Sequence, residues 1–167
     1  MIPNNMLKEM FCYDAYANRL VLAEVEKLSD EEFNRIASPS HGSVCQLLRH
    51  LLRSEVFFLS ACAGEVFSPP EPAKAAEFAR LVDFVAEKAA GLLDGLDETR
   101  LQQCTAIDLH GTTLHFPVWQ LLVQAYTHAT HHRGELSIVL SELGHPLPTL
   151  DIILFFTAES GQIWPLS

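Results

Sequence analysis

Thr127-His128-Ala129-Thr130-His131-His132-Arg133-Gly134-Glu135 lies inside an apolar-periodic segment running from Pro117 to Leu143. His128 and His132 are four residues apart, so on a helix they stand one above the other on the same face. Val118, Leu121, Leu122, Ala125, Ala129, Leu136, Val139, Leu140 and Leu143 form one apolar stripe at helical spacing. His132 falls inside that stripe and His128 at its edge, while His131 falls on the polar side with Gln124 and Glu142. Helical geometry thus aims two imidazoles inward and one outward. Pro117 suits the first helical position, and Gly144, Pro146 and Pro148 bar continuation.

Three more amphipathic segments precede this one. The first runs from Asn4 to Leu28, with Met6, Met10, Tyr13, Ala17, Leu20, Val21 and Val25 as its stripe. Ser29-Asp30-Glu31-Glu32 has capping-box form and starts a short helical turn reaching Ile36. Ser38-Pro39-Ser40-His41-Gly42 is a loop by composition. Ser43-Val44-Cys45-Gln46 is a second capping box, opening a helix that Gly64 ends. His50 lies in that helix, on a face shared with Leu47, Ser54 and Phe57. Pro69, Pro70 and Pro72 mark a linker from Glu65 to Pro72, and a third long helix spans Ala73 to Leu96. The period then changes to two around His110-Gly111, which predicts a small hairpin from Ile107 to Phe116. A short apolar helix, Asp151 to Phe156, covers the end of the fold or pairs with a second subunit. The pattern predicts an all-α protein: a four-helix bundle with a long crossover, a small hairpin-like insertion before helix four and a short C-terminal helix. At 167 residues the chain fits one domain, 1–167.

The totals narrow the function classes. Asp and Glu outnumber Lys and Arg 21 to 11, a formal charge of −10, which disfavours nucleic acid and anionic membranes as partners. Met1 to Asn5 has no leader character and no stretch is apolar enough to span a bilayer, so a cytoplasmic location is expected. Cys12, Cys45, Cys62 and Cys104 are scattered without a C-x-x-C pair and read as reduced core thiols.

A buried imidazole needs partners for both ring nitrogens or it costs free energy. Two of them one turn apart on an apolar stripe are satisfied by a divalent ion, or else by backbone and by each other. The segment is not H-E-x-x-H, because Ala129 stands where a metalloprotease has its glutamate. His50 on another helix is the candidate third ligand.

The chain resembles the DinB family of damage-inducible-type four-helix proteins. The resemblance is carried by Tyr13-Asp14-Ala15-Tyr16-Ala17-Asn18, by Ser43 to Glu55 with His50, and above all by His128 to Glu135 followed by Leu143-Gly144 and Asp151. Tyr16 stands where the family pattern has tryptophan, and Glu135 where it has glutamine. The resemblance implies a metal triad of His50, His128 and His132, holding a divalent metal with zinc or nickel foremost. It also implies a homodimer acting on a small molecule. Some relatives are enzymes that use a low-molecular-weight thiol, as S-transferases or isomerases. A metal-bound thiol loses its proton at neutral pH, whereas a metal-bound water would serve a hydrolase. A non-catalytic, stress-associated metal-binding dimer is the third reading. His131 and Glu135 are candidates for support around the ligands, and Arg133 for an anionic substrate or, more simply, a helix-surface ion pair. Cys45 and Cys62 are assigned to the core.

Overall fold

The architecture follows from where the apolar stripes begin and end. The computed structural model describes residues 3–165, so Met1 and Ile2, on which the expectation of no leader partly rests, lie outside the described residues. Helix α1 spans Asn4–Val25, three residues short of its expected end. Ser29 caps α2, Asp30–Asn34, through the anticipated capping box with Glu32. A second capping box, between Ser43 and Gln46, starts α3 at Val44–Ala63, and Gly64 closes it in the left-handed conformation. Helix α4 covers Phe78–Asp94 after a 3-10 turn at Ala75–Glu77, so its α-helical part begins later than the spacing suggested. Helix α6 spans Val118–Glu142, with Pro117 as its N-cap rather than its first turn.

Three short pieces complete the order. A five-residue helix α5, Glu98–Gln102, capped by Asp97, was not anticipated, because no periodicity develops over so few positions. Between α2 and α3 the supposed loop is a two-stranded hairpin, β1 (Ile36–Ser38) and β2 (Gly42–Ser43). The second hairpin pairs β3 (Cys104–Leu109) with β4 (Thr112–Pro117) in antiparallel register, Leu109 opposite Thr112. Its two-residue turn, His110 at φ 54° and Gly111 at φ 82°, is left-handed at both positions, matching the twist of the strands. The short C-terminal helix α7, Ile152–Glu159, is capped at Asp151 and buries none of its residues.

The molecule is mostly helical. Helix α1 packs on α4 and α6, and α3 packs on the same two helices. Their facing stripes form the core, with Leu47, Leu51, Val56, Leu81, Leu122, Ala129 and Leu136 withdrawn from solvent. Helix α1 keeps most of its expected face, with Tyr13, Ala17, Val21 and Val25 buried, and departs from it at the N-terminal turn. Met6 is 53% exposed, while Leu7 and Phe11 are buried together with the polar Asp14 and Asn18. Those two polar residues are withdrawn from solvent because they meet a buried charge. Arg133 is only 2% exposed. It donates from Nη1 to Asp14 Oδ1 at 2.6 Å and to Asn18 Oδ1 at 2.9 Å, and from Nη2 to Thr130 Oγ1 at 3.1 Å. The Asn18 amide in turn donates to Glu55 Oε2 at 3.2 Å. Arg133 is therefore an internal brace joining α1, α3 and α6, not a surface ion pair and not a group free for substrate. Burial and the neighbouring Asp14 push the Glu55 carboxyl well above its usual range, which favours its neutral form.

The cysteines divide. Cys45 and Cys62 are buried as expected, whereas Cys12 and Cys104 are exposed and so are not core thiols. Cys12 lies outward of the buried α1 stripe, and Cys104 is the first residue of β3. No helix among the described residues is long and apolar enough to cross a membrane.

Candidate metal centre

The site forms where α3, α6 and the β1–β2 turn meet. The capping box at Ser43 fixes the start of α3, which puts His50 on the turn facing α6. His128 and His132 occupy successive turns of α6, and His131 between them is exposed. Ring centroids lie 5.0 Å apart for His50–His128, 4.7 Å for His50–His132 and 4.5 Å for His128–His132. The two imidazoles paired by spacing and the candidate third, His50, thus converge from two helices. His50 Nε2 and His128 Nε2 face one another at 3.2 Å.

A fourth imidazole joins them. His41, in the turn between β1 and β2, stacks on His50 with centroids 3.9 Å apart and meets His132 edge-on at 5.0 Å. His41, His50 and His132 each offer a ring nitrogen within 4.8 Å of the other two. The tightest trio therefore includes His41 in place of His128, which connects to the cluster through its short contact with His50. Sequence spacing missed His41 because a loop has no period. Its signal was local: a histidine among serines, two residues before the cap of the helix that carries His50.

The turn is shaped and held by named contacts. Gly42 has φ +78°, and a Cβ there would collide with the Gln46 side chain that closes the capping box. Glu135, one helical turn beyond His132, accepts from Ser38 Oγ at 2.5 Å and takes Ser40 Oγ on both oxygens at 2.7 and 2.6 Å. Ser38 Oγ accepts the His41 amide at 2.9 Å. Burial works against ionisation of Glu135, but these hydroxyl and amide donors outweigh it and hold the carboxyl down at about 2. Glu135 is thus an anion that ties the turn to α6. Its Oε2 lies 3.6 Å from His132 Nδ1, beyond hydrogen-bond reach.

The electrostatics favour neutral rings. Burial first, and then the neighbouring His41 and His128, hold His50 down to about 4. Burial and His132 do the same for His128, also to about 4, and His132 is lowered chiefly by burial. Nδ1 of His128 and of His132 are buried without a hydrogen-bond partner. Neutral imidazoles packed together with orphaned nitrogens suit a divalent cation, which lone pairs can ligate without first losing protons. The cluster could hold such an ion.

A cleft of about 480 Å³ opens onto His50 and His128. Its walls are Phe57, Phe58 and Phe67, with Arg49 and Arg53 among its polar lining. Arg49 donates to the Pro72 carbonyl at 2.6 Å, and Arg53 pairs with Glu71 and lies 5.1 Å from the Phe67 ring centroid.

A family model described as the DinB family matches residues 1–163. The chain belongs to the DinB family. The crystal structure of a DinB-like protein from Bacillus subtilis is similar to it, with a TM-score of 0.64 and 23% sequence identity. The alignment covers 85% of this chain and 96% of that one. At that identity the likeness to this DinB-like structure concerns the fold. No curated protein matches the chain.

Proposed function

We propose that this DinB-family chain is a metal-dependent enzyme that joins a low-molecular-weight thiol to a small electrophile, or isomerises one, at a divalent ion ligated by His50, His128 and His132. The observation that carries this reading is the pair of facing Nε2 atoms, 3.2 Å apart, beside an apolar cleft. When bound, zinc or nickel would supply the positive charge that keeps a thiol as its thiolate at neutral pH. The protein's own part is to present neutral rings and to shape the approach. Phe57, Phe58 and Phe67 give the cleft apolar walls that exclude water from an electrophile. Arg49 places positive charge along it, which suits a reactant carrying a carboxylate, while the charge of Arg53 is met by Glu71.

The wider proposal is a four-helix bundle working in the cytoplasm as a homodimer. The ring of contacts among α1, α4, α3 and α6 supports the bundle. Helix α7 supports the dimer: Phe155 packs on Tyr13 and Tyr16, while Ile153 and Phe156 stay exposed on the same apolar helix. Light scattering of wild type and of Phe156→Glu tests the dimer, with a smaller species expected for the variant.

The function is tested by metal analysis followed by a screen of thiols against a halogenated aromatic electrophile. Stoichiometric metal with metal-dependent thioether formation supports the enzyme. Metal binding with no turnover of any thiol would make the chain a non-catalytic metal-binding protein. Thiol-independent hydrolysis would make it a hydrolase.

A further inference from the structure

We propose that His41 is a fourth imidazole ligand of the same ion, carried on the β1–β2 turn and closing the side of the centre away from the cleft. The proposal rests on the metal reading above and adds a residue outside the two helices.

The first support is proximity. His41, His50 and His132 bring ring nitrogens within 4.8 Å of one another, and His41 meets His132 edge-on. The second is the protonation pattern, which follows from counting hydrogens. Ser40 Oγ contacts both Glu135 oxygens and also His41 Nδ1 at 2.6 Å. A hydroxyl has one proton, and an ionised carboxylate only accepts, so that proton goes to Glu135. The Ser40–His41 bond then requires Nδ1–H of His41 to donate. A neutral His41 in that tautomer carries its lone pair on Nε2. An oriented Nδ1–H with the other nitrogen left open is the arrangement that fixes metal-binding histidines. Ser40 and Glu135 are thus positioning residues for His41.

The third support is location. His50 and His128 line the cleft, while His41 and His132 do not. A ligand from the turn therefore closes the far side and leaves the cleft side for the reactant. Four imidazoles with room for one more ligand favour ions that accept more than four donors, such as nickel, copper or iron, over tetrahedral zinc.

The test loads wild type, His41→Phe, His41→Gln, Ser40→Ala and His50→Ala with one equivalent of Cu²⁺. Pulsed EPR counts the coordinated imidazoles, and chelator competition measures affinity. Wild type should show four imidazoles. Both His41 variants should show three and bind roughly tenfold or more weakly, with Ser40→Ala weakened in the same direction. A melt of each metal-free variant separates lost ligation from lost folding, and His41→Gln keeps a polar side chain in the turn. If His41→Phe and His41→Gln match wild type in imidazole count and affinity while His50→Ala loses the ion, His41 merely packs and the site reading stands. If wild type binds no stoichiometric Cu²⁺, both ideas fall.

Discussion

His50 Nε2 and His128 Nε2 lie 3.2 Å apart across the contact between α3 and α6. Two bare lone pairs at that distance repel, so either one nitrogen carries a proton or both address one cation. Two nitrogens each bonded at about 2.0–2.1 Å to a single ion stand roughly 2.9–3.4 Å apart for inter-ligand angles between square and tetrahedral. The observed separation falls in that interval.

Removing a ligand should therefore remove the ion. His50→Ala, His128→Ala and His132→Ala are each expected to lose stoichiometric zinc or nickel, read by elemental analysis after dialysis. His131→Ala should keep it, because His131 is exposed on the outward side of α6. Loss of the ion in His131→Ala, with retention in His128→Ala, would show that the wrong pair had been assigned.

The metal-free protein should weaken in acid. His50 and His128 are held at about 4 against an ordinary 6.5. As pH falls through 6.5 the unfolded chain takes up those protons while the folded chain does not. Stability therefore declines from about pH 6.5 to about 4 and levels off for these groups below that. Glu135 acts in a lower window: held at about 2 against 4.5, it favours the fold above 4.5, and that contribution fades as pH drops toward 2. Urea midpoints of apo protein measured from pH 7 to 4 should fall, and His50→Ala/His128→Ala should flatten the decline. A wild-type profile flat over that range would contradict the depressed values.

Much of this fold was legible because long stripes and caps are local signals. Ser29 and Ser43 with their glutamate and glutamine partners marked helix starts correctly, and the stripe of α6 sorted His132 from His131. What stayed hidden depended on partners far along the chain. The burial of Asp14 and Asn18 on α1 could not be read without knowing that Arg133 comes to Asp14 from 119 residues away. His41 could not be placed because a turn has no periodicity, and its position is decided by Glu135 on another element. Single-stripe reasoning places apolar residues well and misplaces polar ones that are buried in company.

Glu135 gives a direct test of how the turn is held. Hydrogen bonds to a charged group contribute about 1.5–3 kcal/mol each. Glu135→Ala removes the acceptor for both Ser38 and Ser40, so the turn should open roughly tenfold or more often. Hydrogen exchange should quicken at residues 38–43 and stay unchanged in the middle of α3. Unaltered exchange in the turn would mean that β1–β2 pairing and Gly42, rather than Glu135, fix its position.

Arg133 should be among the costliest polar residues to remove. Its guanidinium and the Asp14 carboxylate are each 2% exposed. Burial disfavours the charge on Arg133, but Asp14 and Glu55 more than compensate, and its pKa is raised. Arg133→Ala strands Asp14 in the core without a counter-charge and opens a cavity beside Tyr13, costing about 3–5 kcal/mol of unfolding free energy in urea titrations. Arg133→Lys keeps the charge but not the fork that reaches Asp14, Asn18 and Thr130 together, so it should lie between Ala and wild type. Replacing both partners, as in Asp14→Leu/Arg133→Met, should cost less than Arg133→Ala alone, because no unpaired charge remains. If the double variant is instead the least stable of the set, the brace is worth more as an ion pair than an apolar packing of the same space. Asn18 and Glu55 would then be sharing in it.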